Sequence, residues 1–237
     1  MFFFKRQEII LDCFTNDKTV LDFAPIQEAS NYYPSWFYTM PKEFESGIHK
    51  SATLKKCSGF IDYYKNGIIM PLWCDLAISI ENKNYKWNFA NTSSTAIVHN
   101  SKQWEYFVDP NEVGHLKLNA PWKIKCNKEI NFLFKKPYWN SNPFNDINIV
   151  EGIVEFKYQN TANINLLLKL NQYKEILLKY NDPLLNIIPL TEKKIKIKNH
   201  LIEFKEFQDM TDEITFVNNY RIRKKILQNK EKKCPFH

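Results

Sequence analysis

Short apolar, β-branched runs recur along the chain with polar turns between them. Glu8-Ile9-Ile10-Leu11-Asp12-Cys13-Phe14-Thr15 has the density of a buried strand, and Asn16-Asp17 closes it with turn chemistry. From Ile68 the pattern persists through Ile68 to Trp73, Leu76 to Ile80, Tyr85 to Phe89 and Thr95 to His99, with Glu81-Asn82-Lys83-Asn84 as a turn. Tyr85, Trp87 and Phe89 alternate with Lys86 and Asn88, the period of two that marks a half-buried strand, so this stretch predicts an antiparallel meander. Further strands are predicted at Trp122 to Cys126, Ile130 to Phe134, Ile149 to Tyr158, Ile164 to Leu170, Ile176 to Tyr180, Leu184 to Leu190 and Lys193 to Ile202. With few helical periods between them, these strands predict a mainly β fold: an antiparallel sandwich or distorted barrel, with β-clip and cupin-like forms included.

Two segments break this rhythm. Between Pro25 and Pro41, Pro34 opens a short helical turn in an aromatic stretch, Tyr32 to Met40, and Pro41 stops it; such a plug is expected under a sheet. Lys205 to Lys233 is the long helical candidate, with a break near Met210-Thr211-Asp212 where Thr211 or Asp212 caps a second piece. Phe216, Tyr220, Ile226 and Leu227 fall on one broad side, Ile222 lies near its margin and Arg223 interrupts it. No repeat or linker divides the chain. Residues 1–204 are therefore expected to form a single β-rich domain, with 205–237 as a basic helix and tail packed on it.

Composition narrows the function classes. The chain has 237 residues, 44% hydrophobic and 15% aromatic, enough for one sizeable core. No apolar run approaches the roughly 20 residues that span a bilayer, and Met1-Phe2-Phe3-Phe4 is followed by Lys5 and Arg6, so the expectation is a cytoplasmic protein with no membrane partner. Cys13, Cys57, Cys74, Cys126 and Cys234 are widely spaced and predict reduced thiols. The 33 basic residues include only three arginines, Arg6, Arg221 and Arg223, beside 26 asparagines, a pattern of AT-rich codon usage that weakens the high pI as a functional sign. The charge is nonetheless localised. Between Arg221 and Lys233, seven basic residues and one acid supply +6 of the chain's +7.

The motifs exclude more than they select. There is no HxH or HExxH spacing for a metal, no GxSxG elbow, no P-loop and no GxGxxG, so no metal or cofactor is expected. His99 and His115 flank Trp104-Glu105-Tyr106-Phe107, where they either converge across a hairpin or serve as ordinary hydrogen-bonded histidines. The acid pairs Asp12 with Asp17 and Glu151 with Glu155 either support acid–base work or stand solvated, the latter two sharing one strand face. In Ala120-Pro121-Trp122-Lys123-Ile124-Lys125-Cys126, Lys123 and Lys125 project from one face and are candidate anion ligands beside Trp122; solvated edge lysines are the plainer account. Arg221, Arg223, Lys224 and Lys225 are the second candidate set, since guanidinium suits phosphate and carboxylate.

Pro34-Ser35-Trp36-Phe37 with Met40-Pro41, Thr53-Leu54-Lys55-Lys56-Cys57 with Gly59-Phe60-Ile61-Asp62, Ile69-Met70-Pro71-Leu72-Trp73, Ala120 to Lys125, Ile188 to Lys193 and the closing Lys232-Lys233-Cys234-Pro235-Phe236 resemble a family of hypothetical proteins of tailed marine bacteriophages. The resemblance implies a phage source, in the host cytoplasm or on the virion, and no mechanism. Gly152 to Tyr158 and Asn181 to Pro189 are similar to strands of the β-clip dUTPases and dCTP deaminases. Glu155 then stands where their water-activating Asp is usual, and their Pro-Arg-Ser-Gly stretch and Gly-rich arm are missing. The expectation is a phage-encoded accessory or structural protein that binds a partner, protein or nucleic acid, through the basic C-terminal segment. The alternative is an enzyme acting on a nucleotide or other small anionic metabolite in a β-clip or cupin-like barrel.

Overall fold

The computed structural model describes residues 8–140, 147–210 and 217–232. Along the chain come β1 (Ile9–Thr15), α1 (Lys18–Phe23), β2 (Gln27–Glu28), α2 (Ser35–Thr39), β3 (Glu43–Ser46), β4 (His49–Ala52), α3 (Ser58–Asn66), β5 (Ile68–Pro71), β6 (Leu76–Glu81), β7 (Asn84–Phe89) and β8 (Thr95–Val98). After these run β9 (Val113–Cys126), β10 (Phe132–Lys135), β11 (Ile147–Ile149), β12 (Gly152–Val154), β13 (Thr161–Lys169), β14 (Lys174–Leu178), β15 (Pro183–Pro189), β16 (Ile195–Leu201), α4 (Phe204–Asp209) and α5 (Val217–Lys232). With 43% strand against 21% helix, the fold is mainly β, as the periodicity predicts.

The strands are dealt among open sheets, and none of the sheets closes into a barrel. A six-stranded sheet runs β11-β13-β9-β1-β16 with β8 also on β9, a five-stranded sheet runs β12-β10-β15-β5-β2, and β14-β6-β7 form a third. The expected meander from Ile68 to His99 is thereby corrected: β5, β6–β7 and β8 lie in three different sheets. Within this stretch β6 and β7 make a hairpin, across a turn where Asn82 and Lys83 take positive φ. The single strand expected from Ile149 to Tyr158 is also divided. The chain leaves the first sheet after Ile149, exposes Val150 and Glu151, and re-enters as β12 of the second. β1 pairs in parallel with β16 from Ile9↔Ile195 to Thr15↔Leu201, which joins the first strand described to the last.

These sheets share one apolar cluster. Leu11, Cys13, Leu116, Ile124 and Leu166 come from the first sheet, Met70, Phe132, Leu185 and Ile187 from the second, and Leu76, Ile78, Ile176 and Leu178 from the third. At about 1.5–3 kcal/mol per fully buried large aliphatic or aromatic side chain, this cluster is the main stabilising term. β5 is buried on both faces: Met70 enters the main core, while Ile69 meets a second cluster of Ala29, Phe60 and Tyr64 with Tyr33, Trp36, Phe37 and Trp139 around them. The aromatic plug expected under a sheet is thus found, with Tyr33 and Phe37 stacked at 4.4 Å on α2 and α3. Gly67 lets α3 end against the sheet, because a Cβ there would lie 2.7 Å from Asn186 Oδ1.

β9 organises the candidate site. Its first half lies between β13 and β8; its second half, after Pro121, pairs with β1 along the edge that β8 has vacated. α4 ends at Asp209 and α5 begins at Val217; residues 211–216, with the proposed caps Thr211 and Asp212 and with Phe216, lie outside the described residues.

Candidate basic interface

Alternation along β1, β9 and β16 sorts their side chains between core and outer face. Leu11, Cys13, Ile124 and Cys126 point inward, so Asp12, Phe14, Lys123 and Lys125 share the outer face, joined in register by Lys198 and His200. Asp12 has Lys125 opposite it on β9 and Lys198 opposite it on β16, and its Oδ1 lies 2.7 Å from His200 Nε2. The His200 ring stacks on Phe14 at 4.8 Å, and Lys125 Nζ stands 6.0 Å from the Phe14 ring centre. Lys125 and Lys198 are exposed, as the strand alternation implies. Lys123 is buried under α4, with Nζ 5.3 Å from the Phe207 ring. Trp122 points the other way and is part of the core.

The second group of candidates lies on α5, and the structure gives its members different roles. Lys224 Nζ reaches Glu129 Oε1 and Glu155 Oε2, both at 2.9 Å, and stands 5.1 Å from the Tyr158 ring. Tyr158 donates its hydroxyl to Glu129 Oε2 at 3.1 Å and also bonds Gln228. Glu155 is buried, so this notch places one cation against a desolvated carboxylate. The hydrogen bond from Lys224 holds the Glu129 carboxyl below the usual range, outweighing the desolvation that raises it. Arg221 and Lys225 are exposed; the Arg223 side chain lies outside the described set. Ile222 and Ile226 are also exposed, at 57% and 49%, whereas the sequence put Ile226 on the packed side. The reason is that Lys224 and Gln228 occupy the inner side.

β9, α4 and α5 all make contacts with the segment 155–160. The Asn160 carbonyl accepts from Ile124 N–H, and its Nδ2 donates to the Met210 carbonyl at the end of α4. Glu155 and Tyr158, which hold α5, belong to the turn just before Asn160. Glu151 does not share their environment: it is exposed and pairs with Lys135 at 3.1 Å. Asp17, the other candidate acid, caps α1 by accepting from the Thr19 and Val20 amides.

His99 and His115 do converge. Their rings stack at 4.4 Å and 11°, with Trp104 edge-on to His115 at 5.9 Å. Gln103 Oε1 lies 2.6 Å from His99 Nδ1 and Asn165 Oδ1 lies 3.1 Å from His115 Nε2, leaving His99 Nε2 and His115 Nδ1 buried without a hydrogen bond. Among the described residues, no three His, Cys, Asp or Glu side chains gather to hold a metal. Burial pushes the Cys13 thiol far up, which makes it unreactive. A groove of about 580 Å³ beside β16 includes Glu8, Glu28, Lys194 and Lys196, and its cations face carboxylates: Lys194 to Glu28 at 3.9 Å and Lys196 to Glu8 at 3.8 Å. Comparison with known proteins finds no matching family model and no matching curated relative. No described helix is long and apolar enough to cross a membrane.

Sequence reasoning missed Phe14, Lys198 and His200 as neighbours of Lys125. β1 and β16 read correctly as strands, but nothing local signals that they pair in parallel.

Proposed function

We propose that the protein is a phage accessory or structural protein that works by binding an anionic partner, through the outer side of α5 and the adjoining lysine-bearing face of β9 and β16. The observation that carries this reading is the division of labour on α5. Lys224 is committed to the body by Glu129 and Glu155, while Arg221 and Lys225 are left in solvent. Lys125 and Lys198 extend the positive surface across the sheet, with Asp12 between them in register. A surface of this kind gains affinity from counterion release and gives binding that weakens steeply with salt. The alternative of an enzyme acting on a nucleotide or small metabolite within a barrel needs an enclosed interior, and the sheets are open.

Binding to heparin, measured by titration across a range of salt, tests the reading. Wild-type protein is expected to bind with a steep salt slope, and Arg221→Glu with Lys225→Glu to weaken binding and flatten that slope. Equal affinity and slope for the variant would remove α5 from the contact surface.

A further inference from the structure

We infer that α5 is a recognition helix for the major groove of duplex DNA, an inference that rests on the anionic-partner reading above. The helix leaves two large apolar side chains in solvent. Its inner side meets the body through Lys224 and Gln228, and its outer side carries Ile222 and Ile226, one turn apart. Arg221, Lys225 and Asn229 are exposed beside them at successive helical turns. Committing a half-buried lysine to the body while exposing two isoleucines fits a helix whose outer side is itself a contact surface.

The chemistry of that side selects the occupant. A second copy of α5 is disfavoured because Arg221 and Lys225 would face their like. A helix that fills a protein groove presents apolar anchors at i, i+3 or i+4, and i+7. Here the stripe stops after two residues: Asn219 precedes Ile222 by three positions and Asn229 follows Ile226 by three. A membrane-surface helix needs a broader apolar face for the same reason. The major groove offers what this helix matches, an anionic rim of phosphates around a floor of base edges and thymine methyl groups, about 12 Å wide. Arginine and lysine suit phosphate or guanine, asparagine suits adenine, and isoleucine suits the thymine methyl. At 16 residues, α5 is about 24 Å long, enough to cross the groove.

The test compares fluorescence anisotropy of labelled A·T-rich DNA duplexes, which line the groove with thymine methyl groups, of about two helical turns with RNA duplexes of the same length and with heparin, for wild-type protein and for Ile222→Ala with Ile226→Ala. A-form RNA carries the same phosphates but a major groove too narrow for a helix. The expected result is DNA binding at least about tenfold tighter than RNA, and a loss of about tenfold in DNA affinity for the isoleucine variant. Its heparin binding and circular dichroism should be unchanged, because neither charge nor packing against the body is altered. Equal affinity for DNA and RNA, an isoleucine variant with wild-type DNA affinity, or binding to heparin alone would overturn the recognition-helix inference and leave the anionic-partner reading standing. Heparin binding that survives Arg221→Glu with Lys225→Glu would instead overturn that reading, and this inference with it.

Discussion

Lys224 is the side chain on which the seating of α5 turns. In the sequence it is one of seven basic residues in a terminal run, and its acidic partner Glu155 lies 69 positions away, so no local pattern separates it from Arg221 or Lys225. Lys224→Ala leaves the buried Glu155 carboxylate without this cation, which is expected to cost about 1–3 kcal/mol, the lower end reflecting the partial exposure of Lys224 and Glu129. Combining Glu155→Gln with Lys224→Met removes both charges and should recover much of that loss in urea unfolding. A double variant as unstable as Lys224→Ala would show that the ion pair is not the source. Trp122 and Lys123 teach the same lesson in a different form. Their strand was legible, but the cover supplied by α4 over Lys123 depends on a helix some eighty positions later.

Among the elements, strand existence was the most legible feature, because period-two alternation is a local property: β1, β6, β7, β15 and β16 all lie close to the predicted runs. Sheet membership was not, since it depends on pairing between distant segments. The first half of β9 was missed, and so was α3, even though Phe60 and Tyr64 stand one helical turn apart. The link between β8 and β9 through His99 and His115 has a consequence for pH. Burial, opposed by the Asn165 hydrogen bond and reinforced by His99 and Lys117, lowers the His115 pKa from its ordinary 6.5. The folded hairpin therefore binds protons less readily than an opened one. Its stability is intact above pH 6.5, starts to fall below that value, and is fully reduced beneath the lowered folded pKa. A proton gained by His115 meets the His99 ring at 4.4 Å. The other groups around the pair are Trp104, Gln103, Asn165, Lys117 and the Tyr85 hydroxyl, which donates to the His115 carbonyl. Hydrogen exchange of residues 95–108 should accelerate relative to β13 as pH falls from 7.5 to 5.5, after correction for intrinsic rates. His115→Phe, which keeps an aromatic ring in the stack, should remove the difference; equal acceleration in the variant would place the effect elsewhere.

For the molecule as a whole, the mainly β fold and the C-terminal helix followed from pattern, and the concentration of charge at the end followed from composition. The parallel β1–β16 pair, the open sheets and the seating of α5 through Lys224 depend on contacts across the whole chain. They turn a diffuse basic tail into a surface in which Lys224 fastens the helix while Arg221 and Lys225 are exposed. Hydrogen exchange of the full chain with and without saturating heparin at low salt tests this arrangement most directly. Protection is predicted across residues 217–232, with a smaller effect at Lys125 and Lys198 and none in the exposed β3–β4 hairpin or in β14. Protection confined to other elements, with 217–232 exchanging as in the free protein, would contradict it.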